Sequence, residues 1–176
     1  VGGTGKTPLL IAIAQQLQAA GLRPGIISRG FGGEGADYPM QVNGNDNPAI
    51  AGDEPVLIAR KTNCPVVIDP DRRSALDYLL DSNKVDVVLS DDGLQHYKLF
   101  RNIEVIVVDG QRQFGNGMCF PAGPLREPIK RLQEADFIVV NVTGLTSAPM
   151  VSSSASMTME PKSLVNMVTG EKRPFD

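Results

Sequence analysis

The residues best able to do chemistry open the chain: Val1-Gly2-Gly3-Thr4-Gly5-Lys6-Thr7. Glycines let a backbone curl until several N–H groups point at one anion. A helix starting near Lys6 would add its positive N-terminal end. Lys6 would reach the β- and γ-phosphates of a nucleotide, and the Thr7 hydroxyl would bind Mg²⁺. Pro8 fits the first turn of that helix, where a missing N–H is not needed. The full phosphate-loop pattern requires a glycine five positions before Gly5, ahead of Val1. Without that position, a glycine-rich strand-to-helix turn with a solvated lysine is the alternative. The Gly-Lys-Thr at a helix start favours nucleotide binding through Gly2, Gly3, Thr4, Gly5, Lys6 and Thr7.

Two acidic segments could complement such a loop. The apolar run Val85–Ser90 leads into Asp91-Asp92-Gly93-Leu94-Gln95-His96. A carboxylate at the tip of an apolar strand is the usual Mg²⁺ partner of a phosphate loop. One of Asp91 and Asp92 would hold the ion or its water while the other orients the loop; a backbone-capping turn is the plainer reading. His96 is the only histidine, and either contacts substrate or bonds across its own loop. Gly52-Asp53-Glu54-Pro55 opens a short helix, where acidic residues are favoured by the helix dipole. Its functional reading is a base for a substrate hydroxyl, or a further metal contact.

Two patterns mislead. Asn83-Lys84-Val85-Asp86 matches the guanine-reading N-K-x-D of GTPases, but it follows a helix, precedes a strand and comes before Asp91. Its context is wrong, which favours ATP over GTP. Asn141-Val142-Thr143 is a glycosylation sequon by pattern, one that a cytosolic chain would never use.

The elements that must hold these loops alternate. Leu10, Ile13, Ala14 and Leu17 repeat at helical spacing, with Gly21 as a stop. Short apolar runs fall at 24–28, 65–68, 85–90, 103–108 and 137–142, with a further strand expected around Met40–Val42. Helices are expected at 53–62, at 72–80 with Ala75, Leu76, Leu79 and Leu80 inward, and at 127–135. Residues 29–52 read as a mostly irregular excursion, and 157–169 as weak strands at most. Apolar strands alternating with helices give an α/β fold, with a mostly parallel sheet and helices on both faces. Ligands of such sheets bind at the carboxyl ends of the strands. The domain expected is 1–150, with 151–176 a linker or the start of a further lobe.

Composition sets outer bounds. The chain has 176 residues, a net charge of −3, 41% hydrophobic and 21% charged residues. That suits one soluble globular domain and excludes a disordered chain. Mild acidity argues against a sequence-independent nucleic-acid binder. No apolar run approaches the roughly 18 residues of a membrane span. Cys64 and Cys119 match no metal spacing and read as reduced thiols. The start at Val1 and the end at Asp176 lead us to expect a fragment, with any anchor upstream.

Taken together, the motifs resemble the tetraacyldisaccharide 4′-kinase family of lipid A biosynthesis. The matching segments are GGTGKTP (2–8), SRGFGG (28–33), GDEP (52–55), DPDR (69–72), SDDGLQH (90–96), FGNG (114–117), PAGPLREP (121–128) and LVNMVTGE (164–171). They come in the family's order over nearly the whole chain. The resemblance implies a P-loop NTPase-like fold and transfer of the ATP γ-phosphate to the 4′-hydroxyl of a tetraacylated glucosamine disaccharide 1-phosphate. It implies Asp53 as base, Lys6 as stabiliser of the transferring group, and Thr7, Asp91, Asp92 and Glu54 around Mg²⁺. Arg29, Gln95, His96, Arg126 and Glu127 become substrate or phosphate contacts. The cofactors are ATP and Mg²⁺, and the partner is the lipid A disaccharide precursor at the cytoplasmic face of a bacterial inner membrane.

Three departures stand out. Phe31 replaces a frequent tyrosine. The family's membrane-anchoring helix would lie upstream, and its C-terminal lobe, with a histidine, would follow Asp176. Rival readings are a partitioning-type switch ATPase, which normally has Lys where Val1 stands, and a non-catalytic phosphate-binding module.

Overall fold

A computed structural model describes residues 3–30, 37–144, 155–161, 163–165 and 171–175. Two compact units make up the chain. One is Lys6–Asn102; the other joins Val1–Gly5 to Ile103–Asp176.

The Lys6–Asn102 unit is built on a four-stranded sheet. Its elements are α1 (Lys6–Ala19), β1 (Pro24–Ser28), β2 (Met40–Val42), α2 (Pro48–Ala51), α3 (Asp53–Thr62), β3 (Val66–Ile68), α4 (Arg72–Ser82) and β4 (Val87–Ser90). The strand order is β2-β3-β1-β4. Strand β1 pairs in parallel with β3 (Ile26 opposite Val66) and with β4 (Ile26 opposite Leu89); β2 pairs antiparallel with β3. All five residues of β1 are buried. Side chains of a strand alternate between faces, and the core divides accordingly. Ile26, Val66 and Ile68 pack with Leu10 and Ala14 of α1 and Val56, Ile58 and Ala59 of α3. Ile27 and Val67 pack with Ala75 and Leu79 of α4. Helices therefore cover both faces, as the all-apolar strands predicted. Gly25 is required where α4 crosses β1, because a Cβ there would lie 2.8 Å from Val85 and 2.9 Å from Leu79.

Local chemistry sets the boundaries. Helix α3 begins with Asp53 and Glu54 and ends with Arg60 and Lys61, matching the dipole at both ends. Asp71 caps α4 by accepting from the Arg73 N–H at 2.9 Å. The expected irregular excursion contains α2, capped by the Asn47 side chain, which accepts from the Ala49 N–H. Helix α4 continues to Ser82, and Leu80 is exposed rather than inward. Strand β4 starts at Val87 rather than Val85, since Asp86 is taken by Arg23, which donates to it from backbone and guanidinium.

The second unit carries β5 (Val105–Asp109), a 3₁₀ helix (Ile129–Glu134), β6 (Phe137–Asn141), β7 (Ala155–Met157) and the antiparallel pair β8 (Ser163–Val165) and β9 (Lys172–Pro174). Strands β5, β6 and β7 form a parallel sheet, with Asp109 opposite Asn141 and Asn141 opposite Met157. Strand β7, beyond residue 150, thus belongs to the sheet of β6. The segment 127–135 is not an α-helix: only the 3₁₀ stretch forms after Pro128. Strand β5 begins two residues later than its apolar run, because Glu104 is held by Asp136 and Arg131. Among the described residues, no helix is long and apolar enough to cross a membrane.

We predict that Leu79→Ala destabilises the protein by about 2–4 kcal/mol through the cavity it leaves. Leu80→Ala is expected to change stability by less than about 1 kcal/mol. Urea unfolding of both variants decides whether α4 faces the sheet with the observed side.

Candidate active site

The acidic loop forms where the parallel strands of the first unit end. The Asp91 N–H donates to the Ile27 carbonyl at 2.9 Å, and the Asp69 N–H donates to the Ser28 carbonyl at 3.1 Å. Residues following β1, β3 and β4 therefore emerge along one edge. After Asp91 the chain turns sharply, with Asp92 at φ 50°. Gly93 follows because a Cβ there would lie 2.7 Å from Ser90 Oγ. The His96 N–H donates to the Gly93 carbonyl at 3.0 Å and closes the turn.

Opposite charges are gathered in this loop. Asp91 is 4% exposed. Burial pushes its carboxyl up to about 6, and the charges of Glu54 and Asp92 push the same way; Lys6 and Arg72 oppose them. Lys6 Nζ stands 3.8 Å from Asp92 Oδ1. Arg72, also buried, donates to the carbonyls of Asp69 at 3.0 Å and Asp91 at 3.2 Å, while its Nε has no partner among the described residues. Burial, then Arg72 and Arg29, pull the His96 imidazole below its ordinary value; Asp92 opposes them. His96 is therefore mainly neutral at pH 7.

Most of the residues singled out in the first unit thus fall together: Lys6, Glu54, Asp91, Asp92, Arg29 and His96. Gln95 is half-buried in the same loop, and Thr7 half-buried in the first turn of α1. Asp53 lies exposed beside Glu54, its Oδ1 accepting from the Glu54 N–H at 2.9 Å. Arg126, exposed, and Glu127, half-buried, belong to the second unit, just before its 3₁₀ helix. Gly2, Phe31, Gly32 and Gly33 lie outside the described residues. Arg72, in the DPDR segment, joins the site without being among the residues the motifs single out; a buried arginine at a helix start needs a reason.

The glycine loop has the backbone its composition predicts. Gly3 and Gly5 take φ values of 82° and 93°, and α1 begins at Lys6. In the second unit, Asn141 Nδ2 donates to the Thr4 carbonyl at 3.2 Å.

The donor set suits a hard divalent cation. All its ligating groups are oxygens, and a buried carboxyl crowded by two like charges gains most from a cation. Among the described residues, however, no three His, Cys, Asp or Glu side chains form a ready-made metal cage. The expected grouping of Glu54, Asp91 and Asp92 is thus a charge cluster, not a closed coordination shell. Mg²⁺ typically uses one or two carboxylates plus waters and phosphates.

Comparison with known proteins shows the family. The model of the tetraacyldisaccharide-1-P 4′-kinase family matches residues 1–176. A tetraacyldisaccharide 4′-kinase of Legionella pneumophila (strain Corby) is 49% identical over 172 residues, 98% of this chain and 51% of that protein. One of Hahella chejuensis is 57% identical over 141 residues, 80% of this chain and 42% of that protein. The crystal structure of the "apo" form of LpxK from Aquifex aeolicus in complex with ATP matches with a TM-score of 0.80 and 28% identity, covering all of this chain and 56% of that one. The chain spans about half the length of the curated relatives it matches.

A stability prediction follows from Asp91. Its folded value, about 6, lies above the ordinary 3.8. The folded state therefore keeps a proton that the unfolded state releases between these values. Stability present below pH 4 is lost as pH rises through 6. Asp91→Asn, which cannot ionise, is expected to exceed the parent by about 1–3 kcal/mol at pH 7.5 without divalent cation. The gain should vanish below pH 4. Urea unfolding across this range checks it, and a parent as stable as the variant at pH 7.5 would refute it.

Proposed function

This chain belongs to the tetraacyldisaccharide-1-P 4′-kinase family, and on that premise we propose that the protein transfers the γ-phosphoryl group of ATP to the 4′-hydroxyl of a tetraacyldisaccharide 1-phosphate in lipid A biosynthesis. The observation that carries the reading is Lys6 facing Asp92 beside the buried Asp91. A phosphate-loop lysine and a strand-end carboxylate pair are what phosphoryl transfer requires: one to hold anionic oxygens, the other to hold their cation.

The amides of residues 2–7 and the Lys6 ammonium bind the polyphosphate. Thr7 with Asp91 or Asp92 would hold Mg²⁺, with Glu54 as a further contact, and the ion would neutralise phosphate charge. A sugar hydroxyl is a weak nucleophile, so alignment and charge neutralisation do most of the work. Asp53, exposed at the start of α3 next to Glu54, takes the proton from the 4′-hydroxyl as the new O–P bond forms and the bond from Pγ to the β–γ bridging oxygen breaks, releasing ADP. Neutral His96, with Arg29 and Gln95, binds substrate or phosphate oxygens from the loops after β1 and β4. Arg126 and Glu127 are proposed as further substrate or phosphate contacts. The reaction takes place at the cytoplasmic face of the inner membrane, where the lipid acceptor resides.

The test is ATP consumption by the full-length protein with and without the lipid disaccharide. Lipid-dependent phosphorylation is expected; ATPase activity indifferent to lipid would favour a switch ATPase instead. In the same assay, Asp53→Ala is expected to lower kcat by roughly 10²–10⁴-fold with ATP affinity little changed. Lys6→Ala should sharply weaken nucleotide binding or turnover. An unaltered kcat for Asp53→Ala would remove that residue from the role of base.

A further inference from the structure

Asn141 ends the apolar run Phe-Ile-Val-Val of β6 and is 7% exposed. A buried amide there needs partners for its oxygen and nitrogen. Its Oδ1 accepts from the Thr143 N–H at 3.0 Å and the Thr143 hydroxyl at 2.6 Å. The backbone N–H can only donate, so the oxygen must face Thr143. Nδ2 is thereby turned to the Thr4 carbonyl, 3.2 Å away. Thr143 is itself fixed, since its Oγ1 accepts from the Met159 N–H at 2.7 Å. Gly5 packs against this floor: a Cβ there would collide with the Met157 terminal methyl and lie 3.1 Å from Asn141 Nδ2. Among the described residues the Thr4 hydroxyl has no partner, while its carbonyl accepts from Asn141.

We propose that Asn141, locked by Thr143, is a positioning residue that aims the glycine loop at a nucleotide's phosphate. The reason is the geometry of one peptide unit. The Thr4 C=O and the Gly5 N–H share a planar trans peptide and point in opposite directions. Pulling the carbonyl down onto Asn141 turns the Gly5 N–H away from the β6 end. An anion nest works only when successive N–H groups are held in one direction. Asn141 supplies that constraint before any ligand arrives, so phosphate binding does not have to order the loop. Asn141 and Thr143 sit in the sequon-like triplet, and glycosylation has no part in their use here.

This inference rests on the kinase reading only for the identity of the nucleotide, so its test reads ATP binding directly. In the full-length protein, Asn141→Asp keeps the shape but sets a carboxylate against the Thr4 carbonyl. We expect its Kd for ATP, by calorimetry, to rise about 10- to 100-fold. The KM for the lipid acceptor should stay within about twofold. Thr143→Val, which removes the lock, should weaken ATP binding in the same direction, and Thr143→Ser should restore it. ATP binding within twofold of the parent in both Asn141→Asp and Thr143→Val would overturn the proposal. So would Thr143→Ser binding as weakly as Thr143→Val, or an equal loss for ATP and lipid. If Asn141→Asp does not fold, the Thr143 pair decides. A parent that binds ATP but phosphorylates no lipid would defeat the kinase reading and leave the ATP comparison intact.

Discussion

The first unit is organised around a carboxyl, Asp91, held largely away from water. Its N–H continues the hydrogen bonding of β1 and β4, so the backbone holds the residue at the sheet edge whatever its side chain prefers. That side chain is buried among the fields of Glu54 and Asp92, and its ionisation is held back to about 6. Lys6 and Arg72 are the counterweights. Arg72 is anchored to two carbonyls at strand ends and cannot swing away; Lys6 stands on the first turn of α1. Such an arrangement is costly for stability. The charge the protein cannot solvate is the charge a cation would neutralise.

The scaffold explains why this tension falls at one edge. Parallel pairing of β1 with β3 and β4 sends all three strands out on the same side. Each is followed by a segment carrying charge: Arg29, Asp69 to Arg72, and Asp91-Asp92. Both faces of the sheet are filled by helices, so the ends are the open positions. Bulky groups are excluded at two close approaches, Gly25 under α4 and Gly93 against Ser90. The first lets the helix settle on the sheet; the second lets the acidic loop fold back on itself.

Much of this could be read from residue order. The apolar runs at 24–28 and 65–68 marked the central strands because buried parallel strands need no polar side. The Asp-Glu start and Arg-Lys end of α3 set both of its limits. Less legible were features decided by partners distant in sequence. Val85 and Asp86 look like strand, yet Arg23 takes Asp86 and delays β4. Leu80 looks like core, yet α4 turns it outward. Pro128 and the pairing of Arg131 with Glu104 accompany a single 3₁₀ stretch where a helix over 127–135 is expected. At the site, motif spacing exposed Lys6, Asp91 and Asp92, but burial made Arg72 significant, and burial has no local signature.

Asn141 shows the same limit most clearly. Its triplet has a pattern with a familiar surface use, and the sequence offers no sign that Thr4, 137 positions away, lies within hydrogen-bonding distance. The sign appears only when the amide's capacity is counted. A buried side-chain amide has an acceptor and two donors, and a neighbouring N–H dictates which end faces which way. Once Thr143 has claimed the oxygen, the nitrogen must find a carbonyl, and the nearby one is the loop's own. The glycines of such a loop are chosen for freedom, and freedom alone would leave the amides undirected. A constraint from outside the loop must therefore supply direction, and the end of a buried strand is a rigid place from which to apply it.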